Sequence, residues 1–439
     1  MTSTTLTGLC QFLRSSPTAF HAVEAARTHL EAAGAHALPE SQPWQLQPGK
    51  TYYVTRNQSS LIAFRVGQDL TDHNFHIVAS HSDSPAFKLK ERPLLPVRGR
   101  YVQLNTEGYG GMLCATWFDR PLSLAGRVLV QEEGKLVSRL VNLDRDLLII
   151  PSVAIHMNRE ANRGMAYNQQ IDLLPLLGDG TTTEEEFFAL IGAELGVSPA
   201  DICGSDLFLY PRTAPTVWGL HGEYLSAPHL DDLQCAYAAL QAFLQGSHPQ
   251  TTAVYALFDN EEVGSQTKQG ASSTFLRDVL QRIDLSLGRS QEAHLQAIAH
   301  SMMLSADNAH AVHPNHPEKT DPENCVFLNA GVVIKSHAGQ KYTSDGVSVA
   351  LCKALCHHAG VPCQFFSNRS DMAGGSTLGN LSTAQVSLIC ADIGLPQLAM
   401  HSAYETAGVE DTDSMVAMLT DFYAAHLVEA PTGTFQLRY

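Results

Sequence analysis

Three short apolar runs constrain this chain most. They are "FHIVAS" (75–80), "VYALF" (254–258) and "SMMLSA" (301–306), and each stops abruptly at residues able to hold a proton or a cation. The first carries the β-branched pair Ile77 and Val78, and Pro85 closes it soon after. Runs this short, apolar throughout and rich in strand formers, read as buried strands. Further strands are expected at "GVVIK", "CQFFSN" and "AQVSLICADI".

Between these runs the periodicity changes to that of helices. "SSPTAFHAVEAARTHLEAAG" aligns Phe20, Val23 and Leu30 and stops at Gly34. "DDLQCAYAALQAFLQG" puts Leu233, Ala236, Tyr237, Leu240, Phe243 and Leu244 on one face, and "GVSVALCKALCHHAG" separates two strands. Strands alternating with helices imply an α/β fold, with a mostly parallel central sheet flanked by helices.

One block breaks the rhythm. From about Glu91 to Pro228, short β-rich pieces are divided by Gly, Asp-Arg-Pro and Glu-Glu-Gly. We therefore expect an inserted β-rich domain over 91–228. Residues 1–90 and 229–439 would then form one discontinuous α/β domain. Inside the insert, "TTTEEEFFALIGAELG" reads as a helix that Thr caps and Gly ends.

The formal charge of 439 residues, 28 basic against 44 acidic, is −16. That balance argues against nucleic acid and anionic membranes as partners. The N-terminus lacks a basic and then apolar leader pattern, and no apolar run is long enough to span a bilayer. Nine cysteines occur singly, without a CxxC pair, which suits a reducing compartment and an expected cytoplasmic location.

Active sites of open α/β sheets lie beyond the carboxyl ends of the strands. Five residues fall there: His81, Asp231, Glu262, Asp307 and His401. Singly, each has an ordinary reading. Asp231 could cap a helix, Asp307 could make an Asx-turn, and Glu261 and Glu262 could be a solvated turn. Together, the imidazoles and carboxylates suit two divalent ions. Five ligands fill two four-coordinate shells only if one carboxylate and a water are shared. In "HSD", Asp83 shares a strand face with His81 and can reach its surroundings.

With these residues in place, the chain closely resembles the M18 family of metallo-aminopeptidases, which includes the aspartyl aminopeptidases. The likeness runs in order through "ASHSDSPAFKLK", "TWFDRPLSLAGRV", "IPSVAIHMNRE", "LDDLQCAYAAL", "DNEEVGS", "DNAHAVHPNHPEK", "GVVIKSHAGQKYTSD" and "LPQLAMHSAYE".

The resemblance implies two metal ions, with Zn²⁺ expected and Mn²⁺ or Co²⁺ also compatible. Asp231 would bridge them, His81 and Asp307 would complete one site, and Glu262 and His401 the other. Glu261 would be the general base, and Asp83 would orient His81. His156 would act in a neighbouring subunit's site and stabilise an oxyanion there. The family's assemblies are tetrahedral dodecamers that admit short peptides, and the insert would pair and cover subunits. A ligand carboxylate is made less basic by its metal, so two adjacent glutamates can divide ligation from proton transfer.

Lys335, at the end of "VVIK", would face an acidic side chain at the substrate's N-terminal residue; its ordinary reading is a surface lysine ending a strand. Tyr342, Gly374, Gly375 and Ser376 would line the pocket. "SNRSDMAGGSTLG" departs from the aspartyl pattern, with Met-Ala-Gly where Pro-Cys can stand, which touches the pocket's shape and not its chemistry. Two other readings remain open: the same mechanism with broad or Leu-like specificity, and a non-catalytic scaffold that keeps the fold.

Overall fold

The computed structural model describes residues 3–375, 377–430 and 433–439. Its centre is a nine-stranded sheet. In spatial order the strands are His36–Ala37, Thr51–Arg56, Ser60–Arg65, Thr251–Phe258, Asn74–His81, Met302–Ala306, Ile389–Gly394, Val332–Lys335 and Cys363–Phe366. The middle four strands are parallel to one another. Their register aligns Phe258 with His81 and Ala306 with Ile393. Parallel pairing thus brings the chain segments after Phe258, His81 and Ala306 out at one edge. The sheet is mixed towards its margins, where Val332–Lys335 runs antiparallel to Ile389–Gly394.

Alternation along the strands feeds two cores. Val78, Tyr255 and Leu257 face a cluster shared with helices Thr4–Ser15, Ala19–Ala32, Leu230–Gln245, Gly346–Ala359 and Asp411–Ala424. Ile77, Ala79, Val254, Ala256 and Phe258 face the other side, under Phe275–Ser286. The helix at 230–245 is buried on nearly every side because it lies between the sheet and Asp411–Ala424.

The β-rich block folds as a separate six-stranded antiparallel sheet. Its order is Lys135–Asn142, Leu122–Glu132, Ile202–Pro211, Ala86–Val97, Tyr101–Tyr109, Leu176–Asp179. These strands run from Ala86 to Pro211, against the expected insert of 91–228. Residues after Pro211 join a third sheet, in which Tyr224–Ala227 pairs with Glu405–Gly408. The expected helix forms at Glu184–Leu195, with a reciprocal cap between Thr183 and Glu186 and a left-handed Gly196 at its end. Among the described residues, no helix is long and apolar enough to cross a membrane.

Candidate active site

The strand-end residues converge. His81 Nε2 lies 3.5 Å from Asp231 Oδ1 and 3.9 Å from Asp307 Oδ1. His401 Nε2 lies 3.4 Å from Asp231 Oδ2 and 3.3 Å from Glu262 Oε2. Asp231 therefore turns one oxygen towards each histidine. It can do so because the backbone leaves helical geometry at Asp231 and Asp232 (ψ 110° and 19°). Asp231 thus points into the site rather than capping the helix that follows.

Three sets of donor atoms come within 4.8 Å of one another: His81 with Asp232 and Asp307, His81 with Glu261 and Glu262, and Asp231 with Glu262 and His401. Asp231 Oδ1, Asp232 Oδ1 and Glu262 Oε1 are buried without a hydrogen-bond partner among the described residues. Buried carboxylate oxygens left bare beside imidazole nitrogens are costly unless a cation meets them. The donor set is nitrogen and oxygen only, as Zn²⁺, Mn²⁺ or Co²⁺ accept. The residues present therefore fit divalent metal.

Electrostatics follow from the crowding. Burial pushes the Glu261 carboxyl up to about 8, with the charges of Asp307, Asp83 and Asp231 adding to it. Burial also raises Glu262, reinforced by Asp231. For His401, burial lowers the pKa, but the bond to Asp231 and the charge of Glu262 carry it up to about 10.

Asp83 does more than its place in the sequence suggests. The His81 ring is fixed mainly by a backbone carbonyl, with Nδ1 3.0 Å from Asp83 O. The Asp83 carboxylate lies 3.5 Å from that nitrogen. Its Oδ1 accepts from Glu261 N–H and its Oδ2 from Glu262 N–H, both at 3.1 Å. Asp83 therefore holds the backbone of both glutamates. The chain is left-handed at His229, Asn260 and His401, next to or within the cluster. Such geometry in non-glycine residues persists only where surroundings enforce it.

Of the other expected residues, Lys335 touches the cluster and Tyr342 touches Lys335. Lys335 is buried rather than a surface lysine. Its Nζ donates to Asn308 O at 2.8 Å, lies 3.5 Å from Asp307 Oδ2 and sits over the Tyr342 ring. Burial opposes its charge, but Asp307, Tyr342 and Asp392 outweigh that and raise its pKa. Gly375 is exposed and lines a cavity of about 320 Å³ with His310, His313, Lys319, Arg369 and Met400. Lys335 and Tyr342 do not line it. Gly374 is buried, and Ser376 lies outside the described residues. His156 is exposed in the loop after Pro151, away from the cluster's contacts.

Sequence reasoning missed several groups. Asp232 Oδ2 accepts from His81 N–H at 3.0 Å. Glu405 accepts from Asp231 N–H at 3.0 Å and from His401 N–H at 2.7 Å, tying two distant segments together. The doubled Asp in "LDDLQ" was a signal for Asp232; Glu405 left none beyond its closeness to His401.

A mixed α/β sheet whose strand ends gather buried carboxylates and imidazoles defines a metal-dependent hydrolase site of the open-sheet kind. The family described as aminopeptidase I zinc metalloprotease (M18) matches residues 12–423. The chain belongs to this family of zinc metallo-aminopeptidases. It is 44% identical over 421 residues to a probable M18 family aminopeptidase 2 of Clostridium novyi, covering 94% of this chain and 97% of that protein. Among solved structures it resembles a chain of the Ape4 and Nbr1 complex, at 35% identity and a TM-score of 0.93, over 96% of this chain and 85% of the other. It also resembles the S. cerevisiae mApe1 dodecamer, at 25% identity and a TM-score of 0.83, over 95% of this chain and 96% of that one.

Proposed function

We propose that this aminopeptidase removes single N-terminal residues from short peptides with two divalent ions, and prefers Asp or Glu. The observation that carries the reading is the division of Asp231, whose two oxygens lie 3.5 Å and 3.4 Å from different histidines. His81 and Asp307 with one of these oxygens would hold one ion, and Glu262 and His401 with the other oxygen the second. Bound Zn²⁺, or alternatively Mn²⁺ or Co²⁺, would polarise the scissile carbonyl and acidify a water.

The chain's own residues then divide the work. Glu262 is paired with His401, whereas Glu261 makes no such pair among the described residues. Glu261 takes a proton from the attacking water and passes it to the leaving amine. Asp83 keeps the two glutamates at fixed spacing by accepting both backbone N–H groups. Lys335 offers the positive charge for an acidic side chain, with Tyr342 beside it and Gly375 on the nearby cavity wall.

The central sheet and its helices would form the catalytic unit, and the six-stranded sheet between Ala86 and Pro211, narrower than the expected 91–228 at its end, a dimerisation and lid unit. Assembly into a tetrahedral dodecamer is supported by the likeness to the mApe1 dodecamer. Apolar side chains at Val153, Ile155 and Met157 are exposed around His156, Met157 to 82%. Exposed apolar surface of this kind suits a subunit contact, and would bring His156 to a neighbour's site. The nine unpaired cysteines fit a cytoplasmic location.

The test pairs two variants with a substrate profile. Glu261→Gln should lose roughly 100-fold or more in kcat while keeping its metal, and Glu262→Gln should lose metal. Turnover retained in Glu261→Gln would remove it as the base. A clear preference for Leu-linked over Asp- and Glu-linked chromogenic amides would reject the acidic specificity.

A further inference from the structure

One corner of the six-stranded sheet, Tyr109-Gly110-Gly111 at the end of the strand Tyr101–Tyr109, touches the reacting groups. Each of its three residues stands close to a group of the site. The Tyr109 hydroxyl donates to Asp83 Oδ2 at 2.7 Å. Gly110 has φ +76°, and a Cβ there would stand 3.1 Å from Glu262 Cβ and 3.4 Å from Pro85. Gly111 O lies 2.8 Å from His401 Nδ1, so it accepts the ring N–H and leaves Nε2 free to face Glu262.

Tyr109 is itself held in place. Asn260 Nδ2 donates to its oxygen at 2.8 Å. Asn260 Oδ1 in turn accepts from Thr267 Oγ1 and Gln269 Nε2, each at 2.8 Å. The ring packs edge-on against Phe208 of the same sheet. Asn260 directly precedes Glu261 in the chain and adopts a left-handed φ of 62°. Tyr109, Asp83, Asn260 and the two glutamate N–H groups thus make a closed hydrogen-bonded ring. One side of it is anchored in the six-stranded sheet.

We propose that Tyr109 is a positioning residue for the reaction, acting through Asp83 to fix the backbone of Glu261 and Glu262. Without its hydroxyl, Asp83 Oδ2 keeps only the Glu262 N–H among its strong donors, and the amide of Asn260 loses its acceptor. The Glu261 carboxylate then samples more positions relative to the attacking water, and the proton transfer slows. Binding of substrate elsewhere in the site is untouched. The role assigned to Tyr109 rests on Glu261 as the base.

The experiment is Tyr109→Phe in the full-length, metal-loaded protein. Phe keeps the edge contact with Phe208. We expect kcat to fall about 10-fold or more, with KM within about twofold. Metal loss to a chelator, followed without substrate, should be faster, because the same carboxylate steadies Glu262. In an Asp83→Ala background the same change should cost less than about twofold, since the link is already broken. Asn260→Ala, which removes the donor to the Tyr109 oxygen, should lower kcat in the same sense and serves if Tyr109→Phe folds poorly. A kcat within twofold of wild type in both variants overturns the proposal, as does a Tyr109→Phe loss undiminished by Asp83→Ala. An inactive Glu261→Gln beside a fully active Tyr109→Phe would sink only this link, whereas an active Glu261→Gln would sink the base.

Discussion

Glu261 and Glu262 show what two neighbouring carboxylates can do when one short 3-10 turn carries both. Their backbone N–H groups converge on Asp83 while their side chains part, and only Glu262 pairs with His401. Both were legible as candidates because they follow an apolar strand. Glu405 was not, because its role depends on N–H groups that distant segments bring to it, and the doubled Asp that signalled Asp232 did not show that it accepts from His81 N–H. Lys335 is the residue where burial changes the argument most. It is close to Asp307 and thus has two possible duties. A hydrogen bond to a charged group is worth about 1.5–3 kcal/mol. Lys335→Met should therefore cost roughly 10–100-fold in kcat/KM on Asp-linked substrates beyond any loss on Leu-linked ones. Equal losses on both would assign Lys335 to the support of Asp307 instead.

At the scale of elements, the strands read from short apolar runs formed where expected, because a buried parallel strand needs apolar residues on both faces. "AQVSLICADI" forms a strand only from Ile389 to Gly394, since its first residues lie outside the sheet. The helices Phe275–Ser286 and Asp411–Ala424 help to cover the two faces and were not singled out. One contact between elements gives a pH dependence. His76, in the strand Asn74–His81, stacks on Phe422 of the helix Asp411–Ala424 at 4.5 Å, and its Nδ1 lies 2.7 Å from Phe422 O. Burial pushes its pKa down to about 3. The unfolded chain protonates this histidine below about pH 6.5 and the folded chain only near its lowered value. The neutral ring's contribution is thus complete above the unfolded value and is lost as pH falls towards the folded one. At pH 5 the loss is on the order of 2 kcal/mol. Between pH 7 and pH 5, His76→Gln should lose less of its melting temperature than wild type. Parallel slopes would remove His76 as a source of acid sensitivity.

At the scale of the whole molecule, His156 ties activity to assembly through a test of mixed oligomers. His156 stands among exposed apolar neighbours and makes no hydrogen bond or ion pair to its own chain's cluster among the described residues. If it serves a neighbouring subunit, mixed oligomers of inactive Glu261→Gln and inactive His156→Ala chains should recover part of the activity, because some sites would combine an intact Glu261 with an intact His156. No recovery in oligomers verified as mixed would confine His156 to its own subunit or to structure.

By itself the sequence determined the strand and helix pattern, the β-rich interruption and the kinds of side chain at the strand ends. These follow from local periodicity and composition, which a linear chain carries openly. Only the tertiary structure decided which atoms meet. It turned Asp231 between two histidines, buried Lys335 beside Asp307, and joined Asp83, Tyr109 and Asn260 behind the glutamates. Those contacts link residues far apart in the chain through parallel register and the docking of two sheets. No local pattern encodes such a pairing, because its stability comes from groups that meet only once the cores have closed.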